Sequence, residues 1–246
     1  MKYSGESNLK GIALEMGGKS PFIVLDDAVI NDDLVEHAAN SAFWNAGQNC
    51  SANMRQIVAK TLVEEFTQAV VKRVSEYKVG DPLSLSTDLG SMISESHFRR
   101  VADYIETGLR EGAVPIPTGQ PEVTGNFINP TIYTNVNRNM TIAKDEIFGP
   151  VLGIMSVDGI DEALSIAKDT EYGLHATLFT QDIDRAIHIA RELPCGTVAI
   201  NGFTEGDIKT PFGGYKQSGS LSRDNGTEAI EQYLQTKTIW ICTKNI

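Results

Sequence analysis

Short apolar runs alternate with amphipathic stretches along almost the whole chain, and this alternation is the strongest constraint on its fold. Phe22–Leu25, Arg55–Ala59, Thr131–Tyr133, Val151–Val157, Ala176–Thr180 and Thr197–Ile200 are four to seven residues long or close to it, rich in β-branched and aromatic residues. Between them lie stretches with a period near 3.6: Leu34–Ala46, Leu62–Tyr77, Ser94–Gly108, Ile160–Lys168 and Ile183–Leu193. In Leu62–Tyr77, for example, Val63, Phe66, Val70, Val71 and Val74 share one face. Strands separated by helices cannot pair as hairpins. They form parallel ladders joined by crossovers, so the pattern predicts an α/β fold, a largely parallel twisted sheet flanked by helices. Ile12–Leu14 is a further expected strand, Gly226–Leu234 a further helix and Thr236–Cys242 a final strand, while Glu111–Asn126, rich in Gly and Pro, reads as a loop with strand edges. No linker, repeat or low-complexity segment interrupts the 246 residues, which read as one domain.

Charge and composition exclude several functions. The formal net charge is −11, and the 21 basic residues form no stripe, so binding to nucleic acid phosphates is not expected. No apolar run approaches the roughly 20 residues that span a bilayer, so no membrane partner is expected. Three widely spaced cysteines, at 50, 195 and 242, do not make a disulfide framework and point to a reduced, cytoplasmic setting. The histidines at 37, 97, 175 and 188 lack metal-ligand spacing, so no metal site is predicted.

Cys50 lies in Asn45-Ala46-Gly47-Gln48-Asn49-Cys50-Ser51, directly after a predicted helix. Small polar neighbours give such a loop room for a substrate, as a nucleophilic thiolate needs. A buried structural thiol is the alternative, since cysteine is among the most buried residue types. Glu15 leaves an apolar run toward Gly17-Gly18, where it is either a general base or a solvated strand-end acid. Gly17-Gly18-Lys19-Ser20 lacks the spacing of a phosphate loop, which excludes a nucleoside triphosphate site. Cys195 and Cys242 read as structural.

Leu14-Glu15-Met16-Gly17-Gly18-Lys19-Ser20-Pro21 resembles the glutamate signature of the aldehyde dehydrogenase superfamily, and Gly47-Gln48-Asn49-Cys50 with Ala52 and Arg55 resembles its cysteine signature. Glu146-Ile147-Phe148-Gly149-Pro150, Tyr172-Gly173-Leu174, Gly196-Thr197-Val198 with Asn201, and Pro211-Phe212-Gly213-Gly214-Tyr215-Lys216-Gln217-Ser218-Gly219 follow in the family's order. Each motif is moderately specific; in order, across nearly the whole chain, they are highly specific. The resemblance implies a catalytic domain of that family acting with NAD or NADP on a small aldehyde. Cys50 would attack the aldehyde carbon, and Glu15 would activate water against the resulting thioester. Glu146, Phe148 and Met16 would contact the cofactor, although on residue evidence alone Glu146 is a surface acid and Phe148 a core residue.

The loop Asn201–Thr210 would line the aldehyde entrance. Its Glu205 and Asp207 would favour an amine-bearing aldehyde by charge complementarity, as in the γ-glutamylaminobutyraldehyde type; two solvated loop acids are the alternative. Ala199 stands where many relatives carry Trp before the loop asparagine. Thr236–Cys242 resembles the family's interface segment, which implies a homo-oligomer. The dinucleotide-binding region that precedes the glutamate motif in the family lies outside this sequence, together with one oxyanion donor. On its own the chain is therefore expected to bind the cofactor weakly and to be a poor dehydrogenase. An assembly-only domain and a cofactor-independent esterase acting through Cys50 are the rival readings.

Overall fold

The computed structural model describes residues 1–119, 124–204, 206–220 and 222–243. Its strands are β1 (Pro21–Val24), β2 (Arg55–Ala59), β3 (Val114–Ile116), β4 (Thr131–Thr134), β5 (Val151–Val157), β6 (Tyr172–Gly173), β7 (His175–Phe179), β8 (Thr197–Ile200) and β9 (Tyr215–Lys216). The helices are α1 (Lys2–Gly5), α2 (Asp32–Phe43), α3 (Val63–Ser75), α4 (Glu95–Arg110), α5 (Thr141–Lys144), α6 (Ile160–Lys168), α7 (Ile183–Glu192) and α8 (Gly226–Glu231). Seven strands form one sheet in the order β3-β4-β5-β2-β1-β7-β8, and all neighbours are parallel except β3 against β4. This is the expected α/β architecture, and β6 with β9 adds a separate two-stranded antiparallel ladder.

The central strands read as continuous apolar runs because both of their faces are covered. Every residue of β1, β2 and β7 is buried. Phe22 stacks on Phe179 at 5.1 Å between ring centroids and tilts against Phe66 of α3 at 6.4 Å, which joins two strands and a helix in one apolar cluster. Side-chain caps start α2, α4 and α7: Asn31 accepts from Leu34 N–H, Ser94 from His97 N–H, and Asp182 from the Asp184 and Arg185 amides.

Two expected strands do not form. Residues 12–14 make no strand and are mostly exposed; the segment's pairing is reduced to an isolated bridge from Glu15 to Gly219. A short apolar run becomes a strand only beside a sheet edge, and the central sheet begins later, at Pro21. Thr236–Cys242 likewise forms no strand within the chain, so it offers no preformed strand for oligomerisation. Ile239, Trp240 and Ile241 are 76%, 87% and 72% exposed, with no strand of this chain beside them among the described residues.

Arg55 opens β2 and is fully buried. Its Nε donates to the Lys19 carbonyl at 3.0 Å, Nη1 to the Ile166 carbonyl at 2.9 Å and Nη2 to the Ala167 carbonyl at 3.0 Å. The guanidinium thus ties the turn before β1 to the end of α6. Lysine has no planar fork and cannot reach three divergent carbonyls. Arg55→Lys is expected to leave at least one buried carbonyl unpaired and to cost about 2–4 kcal/mol, read as a lower urea midpoint at unchanged slope.

Candidate active site

The sequence motifs sit immediately before strands: residues 15–20 before β1, 48–54 before β2, 146–150 before β5, 172–174 before β7 and Gly196 before β8. These strands run parallel and adjacent, so the motif turns gather at one edge of the sheet, at its amino ends. Topology brings together segments more than a hundred residues apart.

How α2 ends places the cysteine turn. After Phe43 the chain passes through Asn45, Ala46 and Gly47 with φ of 53°, 54° and 69°. Three successive left-handed residues reverse the backbone, which no continuing helix allows. Gln48 then donates to the Ser91 carbonyl at 3.3 Å and accepts from Ile93 N–H at 2.9 Å, anchoring the turn to the segment before α4. Asn53, fully buried, donates to the Pro21 carbonyl at 2.9 Å and accepts from Thr177 at 3.0 Å, so the exit from the turn is locked to β1 and β7. Cys50 lies between these anchors, half-buried.

Two glycines let the turns touch. A Cβ at Gly18 would collide with the Cys50 carbonyl oxygen, which places the glutamate motif directly on the cysteine turn. A Cβ at Gly47 would meet the Gly149 carbonyl oxygen at 2.5 Å, which places the cysteine turn on the Glu146–Pro150 turn. No side chain fits at either backbone contact.

Glu146 turns back toward Gly17 and Gly18 and accepts the Gly18 N–H at 3.1 Å. Burial holds its carboxyl above the usual range, opposed by the Gly18 N–H and by the charges of Lys19 and Arg100. Phe148 is half-buried, and its φ of 57° is left-handed, a conformation that costs a bulky residue about 1–3 kcal/mol. Its carbonyl lies 2.6 Å from His97 Nε2.

Glu15 is exposed. Its Oε1 would lie 2.9 Å from a Cβ at Gly213, beside Arg223. Partial burial raises its carboxyl, the negative charge of Asp224 raises it further, and Arg223 opposes both. The backbone on either side is fastened to the Pro211–Gly219 motif: Met16 N–H donates to the Ser218 carbonyl at 2.9 Å and Ser220 N–H to the Leu14 carbonyl at 3.1 Å. The Met16 side chain is 50% exposed. Ser218 is fully buried and accepts from Gly173 N–H at 2.9 Å, which draws the Tyr172 motif into the same cluster.

The loop Asn201–Thr210 is held by two of the histidines that lack metal-ligand spacing. His175 Nε2 lies 2.8 Å from the Thr204 carbonyl, and Phe203 N–H donates to His37 Nδ1 at 3.2 Å. Asp207 is exposed and accepts the Lys209 N–H at 2.8 Å, shaping a local turn. Glu205 lies outside the described residues. Cys195 is set apart from this cluster's chemistry, since burial pushes its thiol up to about 12. Among the described residues no group of three or more His, Cys, Asp or Glu could hold a metal ion, and no helix is long and apolar enough to cross a membrane.

Lys19, in the glutamate motif, is buried beside the cluster. It is 2% exposed, its Nζ has no hydrogen-bond partner among the described residues, and it lines a small cavity with Ser20, Tyr172, Leu174 and Cys195.

A model of the aldehyde dehydrogenase family matches residues 1–239. The aminoacetaldehyde dehydrogenase of Pseudomonas aeruginosa is 41% identical over 241 residues, covering 98% of this chain and 48% of that protein. The betaine aldehyde dehydrogenase of Brucella anthropi is 41% identical over 246 residues, covering 98% and 50%. Among solved structures, the indole-3-acetaldehyde dehydrogenase of P. syringae in complex with NAD+ superposes with a TM-score of 0.94 at 38% identity, covering 98% of this chain and 49% of that one. The chain thus spans about half the length of these relatives.

Burial lowers the Lys19 amine from 10.5 to about 7, and the Arg55 charge adds to the effect against the pull of Asp145 and Glu146. Between about pH 7 and 10.5 the unfolded chain therefore holds a proton on Lys19 that the folded chain does not, and stability rises with pH through that window. Lys19→Met is expected to remove this rise. The difference in unfolding free energy between the natural chain and Lys19→Met, measured by urea denaturation from pH 7 to pH 9.5, is expected to grow in favour of the natural chain as pH increases.

Proposed function

Because this chain belongs to the aldehyde dehydrogenase family, we propose that it carries the cysteine chemistry that oxidises an aldehyde to a carboxylic acid with NAD as hydride acceptor. The observation that carries this reading is the convergence of three turns: Gly18 against the Cys50 carbonyl, Gly47 against the Gly149 carbonyl, and Glu146 bonded to Gly18. The turn that carries Cys50, the turn that carries Glu146 and the glycines that follow Glu15 are thereby packed against one another.

The residues fit the nicotinamide end of a dinucleotide. Glu146 offers a half-buried carboxylate, an acceptor suited to ribose hydroxyls, and Phe148 offers an aromatic face one turn away. NAD, when bound there, supplies the acceptor for one hydride. The rest of the reaction belongs to the chain. The Cys50 thiolate adds to the aldehyde carbon, and the backbone N–H of Cys50 donates to the oxyanion that develops. Loss of hydride from that carbon leaves a thioester on Cys50. Glu15 takes a proton from water, the hydroxide adds to the thioester carbon, and the acid leaves with return of the thiolate. A carboxyl raised by burial and by Asp224 is a stronger base than an ordinary one, which suits this step.

An amine-bearing aldehyde is the proposed substrate class. The similarity to an aminoacetaldehyde dehydrogenase supports it, as does an exposed acid, Asp207, on the loop that begins at Asn201. The exposed run Ile239-Trp240-Ile241 supports self-association of the chain.

The test follows NADH formation by absorbance with an aminoaldehyde and NAD. Cys50→Ala is expected to abolish it. Glu15→Gln is expected to form the acylated Cys50 at near-normal rate and hydrolyse it at least about a hundredfold more slowly, so that the adduct accumulates in the mass spectrum. NADH formation that survives Cys50→Ala would sink the proposal.

A further inference from the structure

Helix α4 lays one stripe of side chains along the segment that precedes β5. Tyr104 donates its hydroxyl to the Asp145 carboxylate at 3.1 Å, Arg100 Nη2 donates to the Glu146 carbonyl at 3.3 Å, and His97 Nε2 lies 2.6 Å from the Phe148 carbonyl. Spacings of three and then four residues place all three on one face of the helix. Val101, fully buried, fills the space between them; a Cβ at Gly149 would meet its methyl groups at 2.6 Å. One helix therefore grips residues 145, 146, 148 and 149 in succession.

The helix is itself anchored to the cysteine turn. His97 N–H donates to the capping Ser94 hydroxyl at 3.2 Å, and Gln48, two residues before Cys50, holds Ser91 and Ile93. A peptide carbonyl only accepts, so the proton of this bond resides on His97 Nε2, an assignment fixed by the acceptor. The His97 ring also meets the Phe148 ring edge-on, with centroids 5.9 Å apart.

The Phe148 peptide has a reason to be held, since its left-handed backbone is strained for a bulky side chain. We propose that His97 is a positioning residue: by binding the Phe148 carbonyl it fixes the turn that presents the Phe148 ring and the Glu146 carboxylate to the nicotinamide end of the cofactor. The proposal rests on the cofactor-facing roles assigned above to Glu146 and Phe148.

The experiment compares the full 246-residue chain with His97→Leu and His97→Gln. Glutamine keeps an N–H donor on a side chain of similar reach; leucine keeps bulk alone. Amide hydrogen exchange along residues 146–149, NAD+ titration by calorimetry and the thermal midpoint are read for each. His97→Leu is expected to speed exchange along the turn about tenfold and to weaken NAD+ binding about tenfold, and His97→Gln to restore most of both. The thermal midpoint is expected to change by only a few degrees. Unchanged exchange along the turn in His97→Leu overturns the proposal whatever the cofactor does. So does a loss of global stability without a local change, or a failure of His97→Gln to rescue. Absence of NAD+ binding in the natural chain would instead overturn the cofactor reading, and the exchange comparison would still decide whether His97 sets the turn.

Discussion

A single buried guanidinium joins the motif-bearing edge of the sheet to the helix beside it. Arg55 begins β2 five residues after Cys50, and it gives three hydrogen bonds to backbone carbonyls. One is on Lys19, in the glutamate motif; two are at the end of α6. Burial pulls the guanidinium down to about 10, still far above neutrality, so the charge persists and the carbonyl dipoles stabilise it. The turn that carries Glu15 to Lys19 has little regular structure of its own. Its position derives from this bond, from the contact of Gly18 with Cys50 and from the pairing with Ser218.

The sheet was legible in the sequence because parallel central strands are buried on both faces and leave continuous apolar runs. β2, β5, β8 and α6 have the bounds their apolar patterns predict. Ile12–Leu14 and Thr236–Cys242 carry the same local signal, and neither is a strand, because a strand is completed by a neighbour that no local pattern records. The candidate site was legible in part. Cys50 and Glu15 were singled out from their motifs. The α4 stripe was not, since His97 and Arg100 look like any polar residues on an amphipathic helix, and only tertiary structure shows that they face a strained turn. Lys19 was hidden for a related reason: lysine is almost never buried unpaired, so the sequence prior points outward.

Placing the motif turns at the amino ends of the strands has a mechanical consequence. Each turn enters a strand held by ladder bonds on both sides, so its last residue is fixed while its first residues keep some freedom. Cys50 lies five residues before its strand and Glu146 five before its own, close enough to inherit rigidity. Glu15 stands six residues before β1, exposed and tied down through backbone bonds, with its carboxylate at liberty to approach water. Under the proposed mechanism, a firmly held Cys50 and a Glu15 that retains reach suit a reaction in which the base acts only after the acyl group has formed.

The central place of β1 also governs how the molecule must be assembled during synthesis. Phe22 and Val24 face β2 on one side within a few dozen residues, but their partners on the other side, Thr177 and Phe179, leave the ribosome more than a hundred and fifty residues later. For that interval one whole flank of the most apolar strand has no ladder. A growing chain with that flank bare would stick to its own copies, so such a topology places a premium on rapid elongation through β7 or on a chaperone that shields β1 until then.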